Sequence, residues 1–397
     1  MRMMVLAHNL RDAGGLSVGL NVVTSLSEVG PEHEYLLVLP TGVGYEALKL
    51  PPRCETYFYR RPGMIGQRWF EKSTLPRLAR HFRPDIVWGL GNFGLRRPPC
   101  PQAFLLHMPQ FLYDKRHMPH LTCIERLQLW LMRKRMVDSL PATQLVFCQT
   151  QTAAARFRQR FRFSGQVAIM PNAVSRFASP ATDHSPPIFS QLQGKTVLFC
   201  LTKYYPHKNL ESLVELFKRH GERLRDVVVL FTIAAGGTDL HPRAGPFLQQ
   251  LETPALRGRL INVGPLEQRE LSGYYRHSSA LILPTLLESF TVTYLEAMQF
   301  DCPVLTSDLD FAREVCGEAA IYFDPWNVDS MCAAVVRLRD DPALQCHLRL
   351  QGRERLNRMF PAWKEITAEA LRELTAIVDK TKLPAGAPAR RAQKLSP

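Results

Sequence analysis

The 397-residue chain has no apolar run approaching the ~20 residues that a membrane-crossing helix needs. Its start, MRMMVLAHNL, turns polar too soon for a secretion signal, so none is expected. Its nine cysteines include no C-x-x-C pair, which points to free thiols in a reducing compartment. No short-period repeat is present. Acidic residues are scarce in the first half only. Residues 1–180 hold 11 Asp and Glu against 24 Lys and Arg, whereas residues 181–397 hold 25 against 26. Nearly all of the net charge of +14 therefore belongs to the first half. A basic face of this kind suits nucleic acid, anionic lipid or an acidic small molecule, and composition does not choose among them. No RNA- or DNA-reading motif accompanies it, so no nucleic-acid partner is expected.

What remains is an ordinary globular composition, 46% hydrophobic and 22% charged, long enough for two or three domains. Residues 2–7 read as a buried strand, 12–15 as a turn, 16–29 as a helix and 35–39 as a second strand. This β-α-β start predicts a parallel sheet with right-handed crossovers. Gly14-Gly15 sits where such sheets bind ligands, although the pair completes no GxGxxG and a plain turn also accounts for it. Residues 67–82 are basic, aromatic and helical apart from Pro76. Strands follow at 85–88 and at 103–106, the second ending in His107. Residues 121–140 form a helix with the cluster Arg133-Lys134-Arg135, either lying on a membrane surface or packed with its charged face solvated. Strands at 145–148 and 167–170 close the first domain, residues 1–175. The Ser/Pro/Ala-rich stretch 176–194 reads as a linker. A second α/β set occupies 195–361, a last helix 362–379, and a disordered Pro/Ala/Lys/Arg-rich tail 380–397.

Two places in the second half carry chemistry. Lys203 and Lys208, five apart in a strand-to-helix loop, can both reach one diphosphate. Residues 286–304, LLESFTVTYLEAMQFDCPV, hold Glu288 and Glu296 between two short strands. Read as one helix, the stretch puts the two carboxylates within roughly 80° of each other and about 12 Å apart along the axis, with Glu288 at its N-terminus. Spacing alone is met equally by two solvated glutamates.

Taken together, these residues resemble the GT-B glycosyltransferases, in particular the retaining family 4 group, over about residues 1–375. Lys203, Lys208 and Asn209 match its basic motif after the first strand of the donor half. Gly264 matches a mid-domain glycine. Pro284-Thr285-Leu286-Leu287-Glu288-Ser289-Phe290-Thr291 followed by Glu296-Ala297-Met298 is similar to Pro-Ser-x-x-Glu-Gly-Phe-Gly and Glu-Ala-Met. Pro303-Val304, Pro171-Asn172-Ala173-Val174, Gly14-Gly15 and His107 also have counterparts. Ser289 and Thr291 replace glycines, Lys203 an arginine, Met108 an aspartate and Asp301 a glycine.

The resemblance implies two Rossmann-like domains facing a cleft, with the C-terminal helix crossing back to the first. It implies sugar transfer with retention from a nucleotide-diphosphate-sugar to a saccharide or lipid-linked acceptor, in cell-surface polysaccharide or glycolipid synthesis. Lys203 and Lys208 would meet the leaving diphosphate's charge without a metal or other cofactor. The N–H groups of Phe290, Thr291 and Val292 would assist, with Ser289 beside them at the donor. Glu288 would hold sugar hydroxyls, Glu296 the ribose, and His107 would orient the sugar. Gly14, Gly15 and Gly264 would let the backbone approach the donor. For a cytoplasmic enzyme of this family, the basic first half fits an acceptor domain resting on an anionic inner membrane face. A sugar-nucleotide 2-epimerase shares the fold but needs further cleft carboxylates, which the sequence does not identify.

Overall fold

The computed structural model of the chain describes residues 1–60, 63–174, 185–236 and 241–382. The first half contains β1 (Arg2–Leu6), β2 (Glu34–Pro40), β3 (Cys54–Tyr59), β4 (Ile86–Gly89), β5 (Gln102–Leu106), β6 (Leu145–Cys148) and β7 (Gln166–Ile169). Between them lie α1 (Ala13–Val29), α2 (Gly63–Trp69), α3 (Leu75–Phe82), α4 (Cys123–Ser139) and α5 (Gln151–Phe161). The second half contributes β8 (Thr196–Cys200), β9 (Val227–Phe231), β10 (Leu260–Asn262), β11 (Ala280–Leu283), β12 (Val304–Ser307) and β13 (Ala320–Phe323). Its helices are α6 (Ile188–Gln191), α7 (Glu211–His220), α8 (Ala244–Leu251), α9 (Leu271–His277) and α10 (Val292–Gln299). They continue with α11 (Asp310–Cys316), α12 (Val328–Asp340), α13 (Pro342–Met359) and α14 (Trp363–Lys382).

Most strands are short apolar runs such as VVVLF in β9, buried throughout, as a sheet covered on both faces requires. All pairings are parallel. Strand order is β3-β2-β1-β4-β5-β6-β7 in one sheet and β10-β9-β8-β11-β12-β13 in the other. Each order reverses once, between β1 and β4 and between β8 and β11. The crevice outside the C-terminal strand ends at such a reversal is where open α/β sheets bind ligands.

Several boundaries differ from the sequence reading. Gly14 and Gly15 do not form a turn ahead of α1 but occupy its first turn, with Asp12 as N-cap. Helix continues through Pro76. A π-type turn over Phe70–Thr74 precedes it, and this widening accommodates a ring that has no N–H and crowds the carbonyl four residues back. Within the expected linker, Phe189 and Leu192 pack on the core of the second half, while 176–184 fall outside the described residues. Helix α14 runs three residues past 379, and 383–397 of the expected tail also fall outside the described residues.

Helix α14 leaves the second half and completes the core of the first. Trp363, Ile366, Leu371, Leu374 and Val378 pack with Val22, Val23 and Leu26 of α1. Gly30 permits this approach. A Cβ there would lie 2.4 Å from the Tyr35 hydroxyl and 2.9 Å from Leu371 Cδ1. Among the described residues no helix is long and apolar enough to cross a membrane.

Candidate active site

The chain leaving β8 forms the second-half wall of the cleft. Pro206–Lys208 make one 3-10 turn, which ends at Asn209 with φ 55°. Asparagine tolerates this left-handed conformation, and its side chain donates to the Pro325 carbonyl at 2.9 Å. The chain leaving β11 docks onto that turn, Leu286 N–H donating to the His207 carbonyl at 2.8 Å. This long-range bond brings Lys208 Nζ to 2.5 Å from Glu288 Oε1, where the Thr285 hydroxyl also donates at 3.0 Å. Burial pushes the Glu288 carboxyl up, but the Lys208 ammonium, His207 and the Thr285 hydroxyl outweigh it and hold Glu288 below the usual range. Burial takes the adjacent His207 down to about 4, so its ring is neutral at pH 7.

Glu288 therefore does not begin a helix. It stands in the loop before α10, whose N-cap is Thr291, so the two glutamates do not share a helical face. Glu296 lies in the second turn of α10 and is almost fully buried. Burial raises its carboxyl above the ordinary value despite a 2.9 Å hydrogen bond donated by the Tyr275 hydroxyl. The first N–H groups of α10, from Val292 on, have no intrahelical acceptor by construction. The Thr291 hydroxyl beside them is buried and has no partner among the described residues.

Across the cleft, His107 follows β5. Its backbone N–H and that of Met108 both donate to Asn92 Oδ1 at 2.8 Å. Its Nε2 lies 2.6 Å from the Leu90 carbonyl, which assigns the ring proton to Nε2. Gln149 Nε2 approaches Nδ1 at 3.5 Å and is itself held by Asn172 Oδ1 at 2.8 Å. Burial lowers His107 to about 4, so the ring is neutral. Its carbonyl accepts from Ser289 Oγ at 2.7 Å, so one of the two residues that replace family glycines bridges the halves. Lys203 also reaches over, its Nζ 4.0 Å from the carboxylate of Asp12, the cap of the helix that carries Gly14 and Gly15. Gly264 follows edge strand β10, and its φ of 80° is a conformation that favours glycine.

Several residues here stand outside the sequence motifs. Asn92, Gln149 and His207 are single polar residues after strands. Glu71 is another. It lies in the π-type turn, bonded to Arg135 and Gln67 and 3.6 Å from His8 Nε2 just past β1. Burial pushes this carboxyl up, but His8 and Arg135 hold it at about 2.

Family comparison agrees with this geometry in both halves. Residues 18–176 match the model described as Glycosyltransferase Family 4, and residues 194–341 match Glycosyl transferases group 1. The chain is a GT-B protein of the glycosyltransferase family 4 type. Among solved GT-B structures, sucrose-phosphate synthase from Thermosynechococcus elongatus superposes with TM-score 0.72 at 15% identity, over 94% of this chain and 99% of that one. HepE of Anabaena in complex with UDP-glucose gives 0.70 at 14%, over 95% and 100%. The phosphatidyl-myo-inositol mannosyltransferase of Mycolicibacterium smegmatis is 27% identical over 183 residues, 45% of each chain. The O-antigen chain mannosyltransferase RfbU of Salmonella typhimurium is 26% identical over 138 residues, 35% of this chain and 37% of its own. The GT-B chain thus matches less than half the length of these curated relatives.

Proposed function

We propose that the protein transfers a sugar from a nucleotide-diphosphate-sugar to a saccharide or lipid-linked acceptor, with retention of anomeric configuration and without a metal ion. The observation that carries this is the placing of Lys203, Lys208 and Glu288 together at the β8/β11 reversal, opposite His107 and the N-terminus of α1. As the bond from the anomeric carbon to phosphate breaks, its electron pair passes to the diphosphate. Lys203, Lys208 and the first N–H groups of α10 stabilise that charge. The acceptor hydroxyl attacks the same face, and its proton passes to the leaving phosphate oxygen, so no protein nucleophile takes part. Glu288 holds sugar hydroxyls, Glu296 the ribose hydroxyls, and His107 positions the sugar. Mannosyltransferases that act on phosphatidyl-myo-inositol and O-antigen chains are among the relatives. They favour a hexose donor and a glycolipid or cell-surface polysaccharide product; the basic first half fits a peripheral enzyme resting on an anionic inner membrane face.

The test is a thermal-shift and hydrolysis screen of UDP-, GDP-, ADP- and TDP-sugars. One donor is expected to raise the unfolding temperature and to be hydrolysed slowly, and Glu288→Ala and Lys208→Ala should abolish both effects. Absence of binding by every donor, with both variants behaving as wild type, refutes the enzyme reading.

A further inference from the structure

Among the described residues, the exposed aromatic side chains of the second half are Tyr205 and Trp326, at 37% and 50%. Both stand past C-terminal strand ends, Tyr205 after β8 and Trp326 after β13, and so on the cleft side of the sheet. Their loops adjoin. Tyr205 caps the turn Pro206–Lys208, and Asn209, which ends that turn, donates to the Pro325 carbonyl at 2.9 Å. Each ring also continues inward. Tyr205 stacks on His207, with centroids 5.6 Å apart and planes 15° apart, and His207 adjoins Lys208 and Glu288. Trp326 meets the buried His117 edge-on at 5.5 Å, and His117 meets Tyr113 edge-on at 5.2 Å. Burial, then Asp310 and the Glu288 carboxylate, push the Tyr113 hydroxyl up, so the inner end of this second run also lies near Glu288. Single exposed aromatics are ordinary on a protein surface. Two on adjoining loops, each the outer end of a packed run that starts at the candidate site, mark a binding surface continuous with it.

The surroundings select the ligand. The Arg116 guanidinium lies over the Trp326 ring, 5.4 Å from its centre, and the Trp326 N–H of the backbone donates to Asp324 at 2.9 Å. Lys115, Arg116 and Asp324 are all exposed. An acyl chain or an apolar protein face laid on the indole would take these charges out of water without pairing them. A pyranose carries both chemistries that the rim offers. Its ring C–H groups form an apolar plane that stacks on an aromatic face, and its hydroxyls at the edge bond to guanidinium, ammonium and carboxylate groups.

We propose that Tyr205 and Trp326 form a saccharide subsite at the mouth of the cleft, holding sugar residues of the acceptor beyond the one that receives the transferred sugar. The acceptor is then a chain of at least two sugars, and the enzyme extends a saccharide instead of starting one. Arg116 and His117 belong to the first half and Trp326 to the second, so the subsite is complete only with the two halves together. As an acceptor subsite it rests on the transfer reading given above; the binding of a saccharide at the two rings does not.

The test is calorimetric titration of the full chain, without nucleotide, with α-linked mannose and glucose oligomers of one to four residues, alongside titration with UDP and GDP. Affinity is expected to rise about tenfold or more from monosaccharide to tetrasaccharide in one of the two series. Trp326→Ala should remove that gain while keeping the wild-type unfolding temperature, because half of the side chain is exposed, and Trp326→Phe, which keeps a ring to stack on, should retain most of it. Tyr205→Ala should lower tetrasaccharide affinity several-fold. Absence of binding by every oligomer overturns the proposal, as does an affinity indifferent to chain length or a Trp326→Ala protein that binds as wild type. A Trp326→Ala protein that loses UDP or GDP and keeps the saccharide would assign the ring to the nucleobase and overturn it as well. Oligosaccharide binding by a protein that binds no nucleotide-sugar would retire the enzyme reading and leave the subsite standing; the reverse pattern would do the opposite.

Discussion

The Lys208–Glu288 pair sets a measurable coupling. The two side chains are 19% and 12% exposed and 2.5 Å apart, so water screens them poorly. At an effective dielectric constant of about 20, two unit charges this close attract by roughly 6 kcal/mol, and desolvation cancels part of that. Replacing Lys208 by Met leaves Glu288 buried without its counter-ion and should cost about 3–5 kcal/mol of unfolding free energy. Glu288→Gln should cost a similar amount by stranding the ammonium. The double variant removes both charges and should lie within about 2 kcal/mol of wild type, giving a coupling of about 4 kcal/mol or more. Urea unfolding of the four proteins at pH 7 measures it. The direction of the Glu288 shift adds a sign. A carboxyl held below its ordinary value contributes stability that is complete above the unfolded pKa and lost as pH falls through the folded one. The coupling should therefore vanish on acidification below the ordinary carboxylate range. Single-variant losses that add to within about 0.5 kcal/mol in the double variant would show that the pair carries no net energy, and would refute the reasoning.

Three further outcomes follow from the geometry. Ser289→Gly removes the hydroxyl that bridges to His107, so it should lower stability by about 1 kcal/mol and increase the radius of gyration of the ligand-free protein in small-angle scattering; an unchanged radius would mean the bridge does not hold the cleft. Glu71 is held at about 2 against an ordinary 4.5, worth about 3 kcal/mol at neutral pH and lost between pH ~4.5 and ~2. Glu71→Gln should remove that stability at pH 7 and flatten the acid limb of urea unfolding, and a variant limb as steep as wild type would contradict it. Transfer activity, once a donor is found, should survive EDTA unchanged, because lysines and helix N–H groups supply the positive charge. Loss of activity restored by a divalent ion would transfer that role to a metal.

Legibility followed the range of the interactions. The strands were readable because parallel-sheet strands buried on both faces are unbroken apolar runs, as in residues 227–231 and 280–283. Edge strand β3 was not, because Glu55 interrupts it and only Tyr59 of its six residues is buried. Helix α5 carries its signal in its cap and one buried face. Thr150 caps it by accepting from Ala153 N–H at 3.1 Å, and Ala153, Ala154 and Phe157 make its buried face, but the arginines between them hid the period. The lysine and glutamate motifs were visible as local patterns. That Glu288 precedes the helix was not, because the Leu286-to-His207 bond that fixes the loop spans 79 positions. The same reason hid Asn92 and Gln149. Their contacts with His107 exist only because the sheet order sets β4, β5 and β6 side by side.

The cleft lysines face carboxylates of the chain itself, and this shapes what donor binding would be. Lys208 is neutralised by Glu288, and Lys203 lies near Asp12. On the proposed reading a diphosphate would not fill an open pair of cations; it would exchange with two carboxylates already facing them. The exchange releases Glu288 from Lys208 just as sugar hydroxyls arrive to be bound, so one displaced carboxylate becomes the sugar's acceptor of hydrogen bonds. A nucleoside diphosphate without its sugar would free Glu288 into a buried site with nothing to bind. That costs free energy and favours the intact donor over the product.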